Sequence, residues 1–143
     1  MLCRFEDWPS RLSSYLEERR SVPFCYGTHD CCLFVGDAIV AMTGTDIAAQ
    51  FRNSYRSSLG ALRRIRSYLS RRAALEGIAE AVFAAHTVPE IPARHAARGD
   101  VLLLALPSGD TLGLVSLSGC VIAAAECGWL SFPLTCARRA WRI

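Results

Sequence analysis

Apolar positions along the chain change their spacing near residue 99, and that change predicts the architecture. Before it the spacing is helical. Trp8, Leu12, Tyr15 and Leu16 share one face of a segment whose start is marked by Asp7 and Pro9. Val22 precedes Pro23 and is biased away from helical geometry, so this segment ends within "RRSVPF". From Cys31 to Met42 the chain is apolar nearly all round, the mark of a buried helix, with Gly44 as its stop. Asp46 is placed to cap a short helix carrying Ile47, Ala48 and Phe51. Two amphipathic segments follow. One carries the stripe Leu59, Leu62, Ile65 and Leu69; the other carries Leu75, Ile78, Val82 and Phe83. "HTVPEIPAR" reads as a proline-punctuated connector.

After Gly99 the pattern shortens to "DVLLLAL", "TLGLVSL", "CVIAAAE" and "WLSFPL", separated by "PSGD", "SG" and "CG". These predict a meander of buried antiparallel strands, and the alternation in "ARRAWRI" predicts a closing strand. Helices first and strands second make an α+β domain, with helices covering one side of an antiparallel sheet. No repeat or long linker divides it. The expectation is one domain over residues 1–143, helical to about residue 88 and sheet from about residue 99.

Composition narrows this only a little. With 52% apolar and 20% charged residues, a folded domain is expected rather than disorder. The net charge of +3 is too small to point to nucleic acid, and no nucleic-acid partner is expected. The arginine-rich run "RRIRSYLSRR" around Tyr68 reads as the solvated face of a helix, since Glu76 and Glu80 follow it. All 16 basic residues are arginine, which fits a GC-rich genome better than any arginine-specific task. The opening "MLCRFEDWPSRL" has no signal-peptide core, and no apolar run reaches the roughly 18 residues of a membrane span. Synthesis and folding in the cytoplasm are therefore expected, with mostly reduced thiols. Cys3, Cys120, Cys127 and Cys136 sit among apolar neighbours and read as small buried hydrophobes. Trp8, Trp129 and Trp141 read as core or interface anchors.

The chemistry concentrates in "PFCYGTHDCCLFVGDAI", residues 23–39. A helix N-terminus favours a thiolate through its unpaired N–H groups, and Cys31 follows a glycine-containing turn and Asp30 at such a start. Cys32 lies about 100° further round, which predicts one thiol toward a groove and the other toward the packing side. The spacing of Cys25, His29, Cys31 and Cys32 is not that of a zinc site, and neither metal nor cofactor is expected. Two readings of the segment stay open. In one, Cys31 is a nucleophile and His29 or His95 supplies the base, with His86 a more remote candidate. In the other, His29 is a turn residue, Asp30 a helix cap and Cys31 a packed thiol. Tyr55 reads either as a groove residue beside the nucleophile helix or as a buried loop anchor.

"FCYGTHDCCLFV" resembles the nucleophile signature of the NlpC-type papain-like cysteine peptidases. Phe24, Tyr26 and Gly27 match its aromatic-glycine part, and Asp30 and Cys31 its nucleophile part. Gly99, Asp100 and Val101, then Gly113 and Leu114, are similar to that family's next two strands. The resemblance implies an NlpC-like fold with a groove at Tyr26, Gly27, Asp30 and Thr111. Thr111 stands where the family has its catalytic histidine, and a threonine cannot serve as a base near neutral pH. Over nearly the whole chain, the order of "DCC", "TGTD", "FRNSY", "RGDV", "LGLV" and "AWRI" resembles a small tail-tip protein family of siphophages and prophages. It implies a structural or assembly part of the virion with a degenerate active site, made in the host and bound to other tail-tip or baseplate proteins. The alternative it leaves open is an active peptidase or amidase that cuts peptidoglycan peptides during phage entry, with Cys31 as nucleophile.

Overall fold

The computed structural model describes residues 1–69 and 75–143, with side chains outside 65–69. Among them are four α-helices: α1 (Trp8–Arg19), α2 (Cys31–Thr43), α3 (Ser58–Leu69) and α4 (Leu75–Ala85). Six strands follow: β1 (Glu90–Ile91), β2 (Val101–Leu106), β3 (Gly109–Val115), β4 (Val121–Ala125), β5 (Gly128–Phe132) and β6 (Ala137–Trp141). The strands form one antiparallel sheet in the order β1-β6-β2-β3-β4-β5. The chain is thus a small α+β domain, helices before sheet, as the change in spacing predicts.

The sheet departs from a plain meander at two places. Strands β2 to β5 are consecutive neighbours, but β6 returns to pair with β2 on the opposite side. The expected connector contains β1, whose two residues pair with β6 at Glu90↔Trp141 and Ile91↔Ala140. Proline on each side of that pair masked it in the sequence, because Pro89 and Pro92 allow no longer strand there.

Helix α2 is the centre of the core. Leu33, Phe34, Ala38, Ile39 and Met42 are wholly buried, between α1 on one side and β3 and β4 on the other. Its ends are set by local chemistry. Asp30 caps the start, and Gly44, in the left-handed region at φ +77°, closes the end with its N–H on the Val40 carbonyl. The phenol of Tyr15 in α1 donates to the Phe34 carbonyl at 2.7 Å, tying the two helices together. On the helix side of the sheet, Val101, Leu103, Leu112, Leu114 and Ile122 complete this cluster.

The other face of the sheet is also covered. Leu102, Leu104, Val115, Val121 and Ala140 form a second cluster, closed by two 3-10 turns at Ala93–His95 and Leu134–Cys136. This explains "VLLLAL" in β2: a strand buried on both faces shows an unbroken apolar run instead of alternation. Gly113 lets β4 come close, for a Cβ there would lie 2.7 Å from Val121 and 2.8 Å from the Ile122 carbonyl.

Several expectations about single residues change. Leu59 is 55% exposed: α3 packs against α4, and in its first turn Ala61, not Leu59, meets the core. Ile65, Tyr68, Leu69, Arg71 and Arg72 fall outside the described side chains or residues. Cys3 and Cys127 are exposed and Cys120 and Cys136 half-buried, so apolar neighbours in sequence did not bury them. Asp7 precedes α1 but makes no capping bond; its carboxylate takes the Arg11 guanidinium at 2.7 Å instead. Trp141 is buried and stacked on Phe83 at 4.9 Å, whereas Trp129 is half-buried, its indole N–H on the Leu16 carbonyl at 2.7 Å. No helix among the described residues is long and apolar enough to cross a membrane.

Candidate functional site

The site is assembled by the short loop between α1 and α2. Cys25 and His29 bond to each other through both backbone pairs, at 2.9 and 2.8 Å, and close a tight turn. Gly27 sits in that turn at φ +84°, and any Cβ there would run into the Tyr55 carbonyl, so only glycine fits. The turn delivers Asp30 in extended geometry to the first position before α2.

Asp30 is 3% exposed, and its carboxylate accepts four hydrogen bonds. One oxygen takes the Cys32 and Leu33 N–H groups at 3.1 and 3.0 Å, which caps the helix. The other takes the Gly27 N–H at 3.0 Å and the Tyr55 hydroxyl at 2.6 Å. Burial and the Asp30 carboxylate push the Tyr55 phenol far above its ordinary range, so it remains a donor at any physiological pH. Both readings of Tyr55 therefore hold at once: it anchors its loop, and it borders the site.

Cys31 and Cys32, the first two residues of α2, are half-buried. Both thiols border one cavity, and Cys32 also packs against the helix-side core cluster, so the expected division into a groove thiol and a packing thiol is met in part. The neighbouring Cys32 thiol favours the Cys31 thiolate, against burial and the nearby Asp30 charge. The Leu112 backbone and the Thr111 hydroxyl add to it, and the Cys31 thiol lies below its ordinary value. The same contact, with burial, pushes the Cys32 thiol well up. Thr111, on β3 opposite Leu104, thus lies against the sulfur of Cys31.

The histidines lie elsewhere. His29 is 4% exposed, with its ring edge-on to Phe34 at 5.8 Å and neither ring nitrogen hydrogen-bonded. Burial, then repulsion from Arg19, lowers its pKa, against weaker attraction from Asp37 and Asp30. His95 is exposed in the 3-10 turn that packs on the far face of the sheet, away from α2. His86 follows the end of α4. No histidine is among the groups acting on the Cys31 sulfur. Gly99 and Asp100 also stand apart: the Asp100 carboxylate binds Arg4 at 3.0 Å and the Ala97 N–H at 2.9 Å at the entry to β2. Among the described residues no three His, Cys, Asp or Glu side chains are grouped to hold a metal.

Cys31 and Cys32 open into a cavity of about 140 Å³. Tyr26 is the exposed residue at its rim, and α2, α3, α4 and the loop between α2 and α3 supply its walls. Val35, Ile47, Phe51, Ile78, Val82 and Phe83 make those walls apolar. Sequence reading missed this space. The wall residues are marked only as apolar, and nothing in a helical stripe separates one that fills a core from one that borders a gap.

A family model described as Domain of unknown function (DUF6950) matches residues 3–143, and the chain belongs to that family. No curated protein matches it.

Proposed function

We propose that this chain is a structural or assembly component of a bacteriophage or prophage tail tip, built on an NlpC-like, papain-like scaffold whose active site lacks its base. It is made in the host cytoplasm and ends in the virion, held by other tail-tip or baseplate proteins. The observation that carries the reading is the pairing of Cys31 with Thr111. A thiol at the start of a buried helix has Thr111 among the groups acting on it, and the resemblance to the peptidases aligns that threonine with their general base. A second observation supports it. The N–H groups of Cys32 and Leu33, which would otherwise be free to hold an oxyanion, are both taken by Asp30. The order of short motifs along the chain supports the tail assignment.

The test is the protein content of purified virions carrying this gene. Presence in fixed stoichiometry, with normal particles from a Cys31→Ala variant, is the expected result. Absence from the particle overturns the reading.

One observation favours the alternative, an active cysteine peptidase or amidase acting on peptidoglycan peptides: the Cys31 thiolate is stabilised by its neighbours. In that reading the Cys31 thiolate attacks the amide carbonyl, the C–N bond breaks as the leaving amine takes a proton from water, and the resulting hydroxide hydrolyses the thioester and returns the thiolate. Purified protein incubated with peptidoglycan distinguishes the two. Turnover that disappears in Cys31→Ala establishes the enzyme; no turnover by either protein removes it.

A further inference from the structure

We propose that the cavity behind Cys31 and Cys32 is a binding site for a small uncharged apolar molecule, the size of one aromatic ring or a short branched alkyl group. The inference concerns the same site as the reading above but does not depend on the tail assignment, so either can fail alone.

Three observations select this ligand class. The first is volume: about 140 Å³ is close to the roughly 150 Å³ of dry, apolar cavities that accept benzene. The second is the chemistry of the walls. Val35, Ile47, Phe51, Ile78, Val82 and Phe83 come from three separate parts of the chain and present only carbon. The third is the state of the polar groups. Asp30 and Tyr55 border the space, yet the Asp30 carboxylate is saturated by four donors, one of them the Tyr55 hydroxyl. An ionic or strongly polar ligand would give up its hydration and find no partner. Among the described residues, what remains for a ligand is carbon and two sulfurs, and a polarisable sulfur makes favourable contacts with an aromatic ring. Tyr26 at the rim and the half-buried Cys31 mark the way in.

Cys31 supplies the readout. Three methanethiosulfonates share one reactive group and differ in their tails: benzyl, sulfonatoethyl and trimethylammonioethyl. In each case the thiolate attacks the sulfenyl sulfur, a mixed disulfide forms and methanesulfinate leaves. Rates at Cys31 are measured by peptide mass spectrometry and divided by rates at the exposed Cys3 of the same molecule, which cancels intrinsic reagent reactivity. The expected result is a preference at Cys31 for the benzyl reagent of about tenfold or more over either charged one, the least that burying an aromatic group is worth. Toluene, which cannot react, is expected to slow the benzyl reagent at Cys31 and not at Cys3. Filling the space with Ala79→Leu or, independently, Ala61→Leu is expected to abolish both effects. Equal tail preference at Cys31 and Cys3, or no protection by toluene in the unsubstituted protein, overturns the proposal whatever the variants do.

Discussion

At the scale of single residues, Asp30 bears more of the site than Cys31 does. Its four hydrogen bonds join the glycine turn, the start of α2 and the loop carrying Tyr55. Asp30→Ala removes a helix cap and strands a buried hydroxyl, and its expected cost is on the order of 3 kcal/mol in denaturant unfolding. Tyr55→Phe removes one bond to a charged acceptor and is expected to cost about 2 kcal/mol, with the midpoint shifted and the slope unchanged. The thiol prediction is separate. Alkylation of Cys31 followed against pH is expected to show a midpoint below the roughly 8.5 of a free cysteine. Thr111→Val deletes one of the groups favouring the thiolate and is expected to move that midpoint up. A midpoint unmoved by the substitution would remove Thr111 from the thiol's environment.

Among the elements, the loop before α2 carries an acid sensitivity. His29 is buried without hydrogen bonds and its pKa lies below the ordinary 6.5, so the folded state resists its protonation. As pH falls below about 6.5, unfolded chains gain a proton that folded chains do not. Stability is therefore expected to be full above that pH and to decline below it, until the depressed native pKa is reached. Arg19, Asp37 and Asp30 are the charges that act on the ring, and Asp37 is itself held by Arg52 at 2.7 Å. His29→Leu is expected to flatten this part of the stability profile and, by removing two unpaired polar atoms, to raise stability near neutral pH by about 1 kcal/mol. An unchanged acid limb would show that the sensitivity lies with another group. This loop also shows what a sequence can carry. The turn glycine, the capping aspartate and the thiol at the helix start follow from local chemistry, and residues 23–34 display them openly. The bond from Tyr55 to Asp30 spans 25 positions, and no local pattern marks it.

Over the whole molecule, the two-part architecture was legible because helical and strand spacing occupy separate stretches of the chain. Strand order was not. "ARRAWRI" announces a strand by alternation, but alternation does not choose between the free side of β5 and the free side of β2. The choice is visible only in three dimensions. Trp141 stacks on Phe83, while Arg139 binds Glu90 at 2.7 Å and Glu76 and Glu80 at 3.2 Å. These contacts join β6 to α4 and to β1. Arg139→Ala is expected to cost about 1 kcal/mol, discounted for the exposure of its partners, and less in 1 M salt. Equal losses at low and high salt would mean that packing, not charge, is what the arginine contributes.

The return of β6 also imposes an order in time. Residues 137–141 complete the sheet between β1 and β2, and their contacts with Phe83 and Glu76 brace α4, a wall of the cavity. A nascent chain can assemble α1, α2 and the β2–β5 meander from neighbouring segments, but the bracing of α4 by Trp141 and Arg139 must wait for a strand made some sixty positions after that helix. Such long-range closure is slow relative to local folding. The cavity wall formed by α4 therefore gains its last stacking and charge contacts only when the final strand is in place.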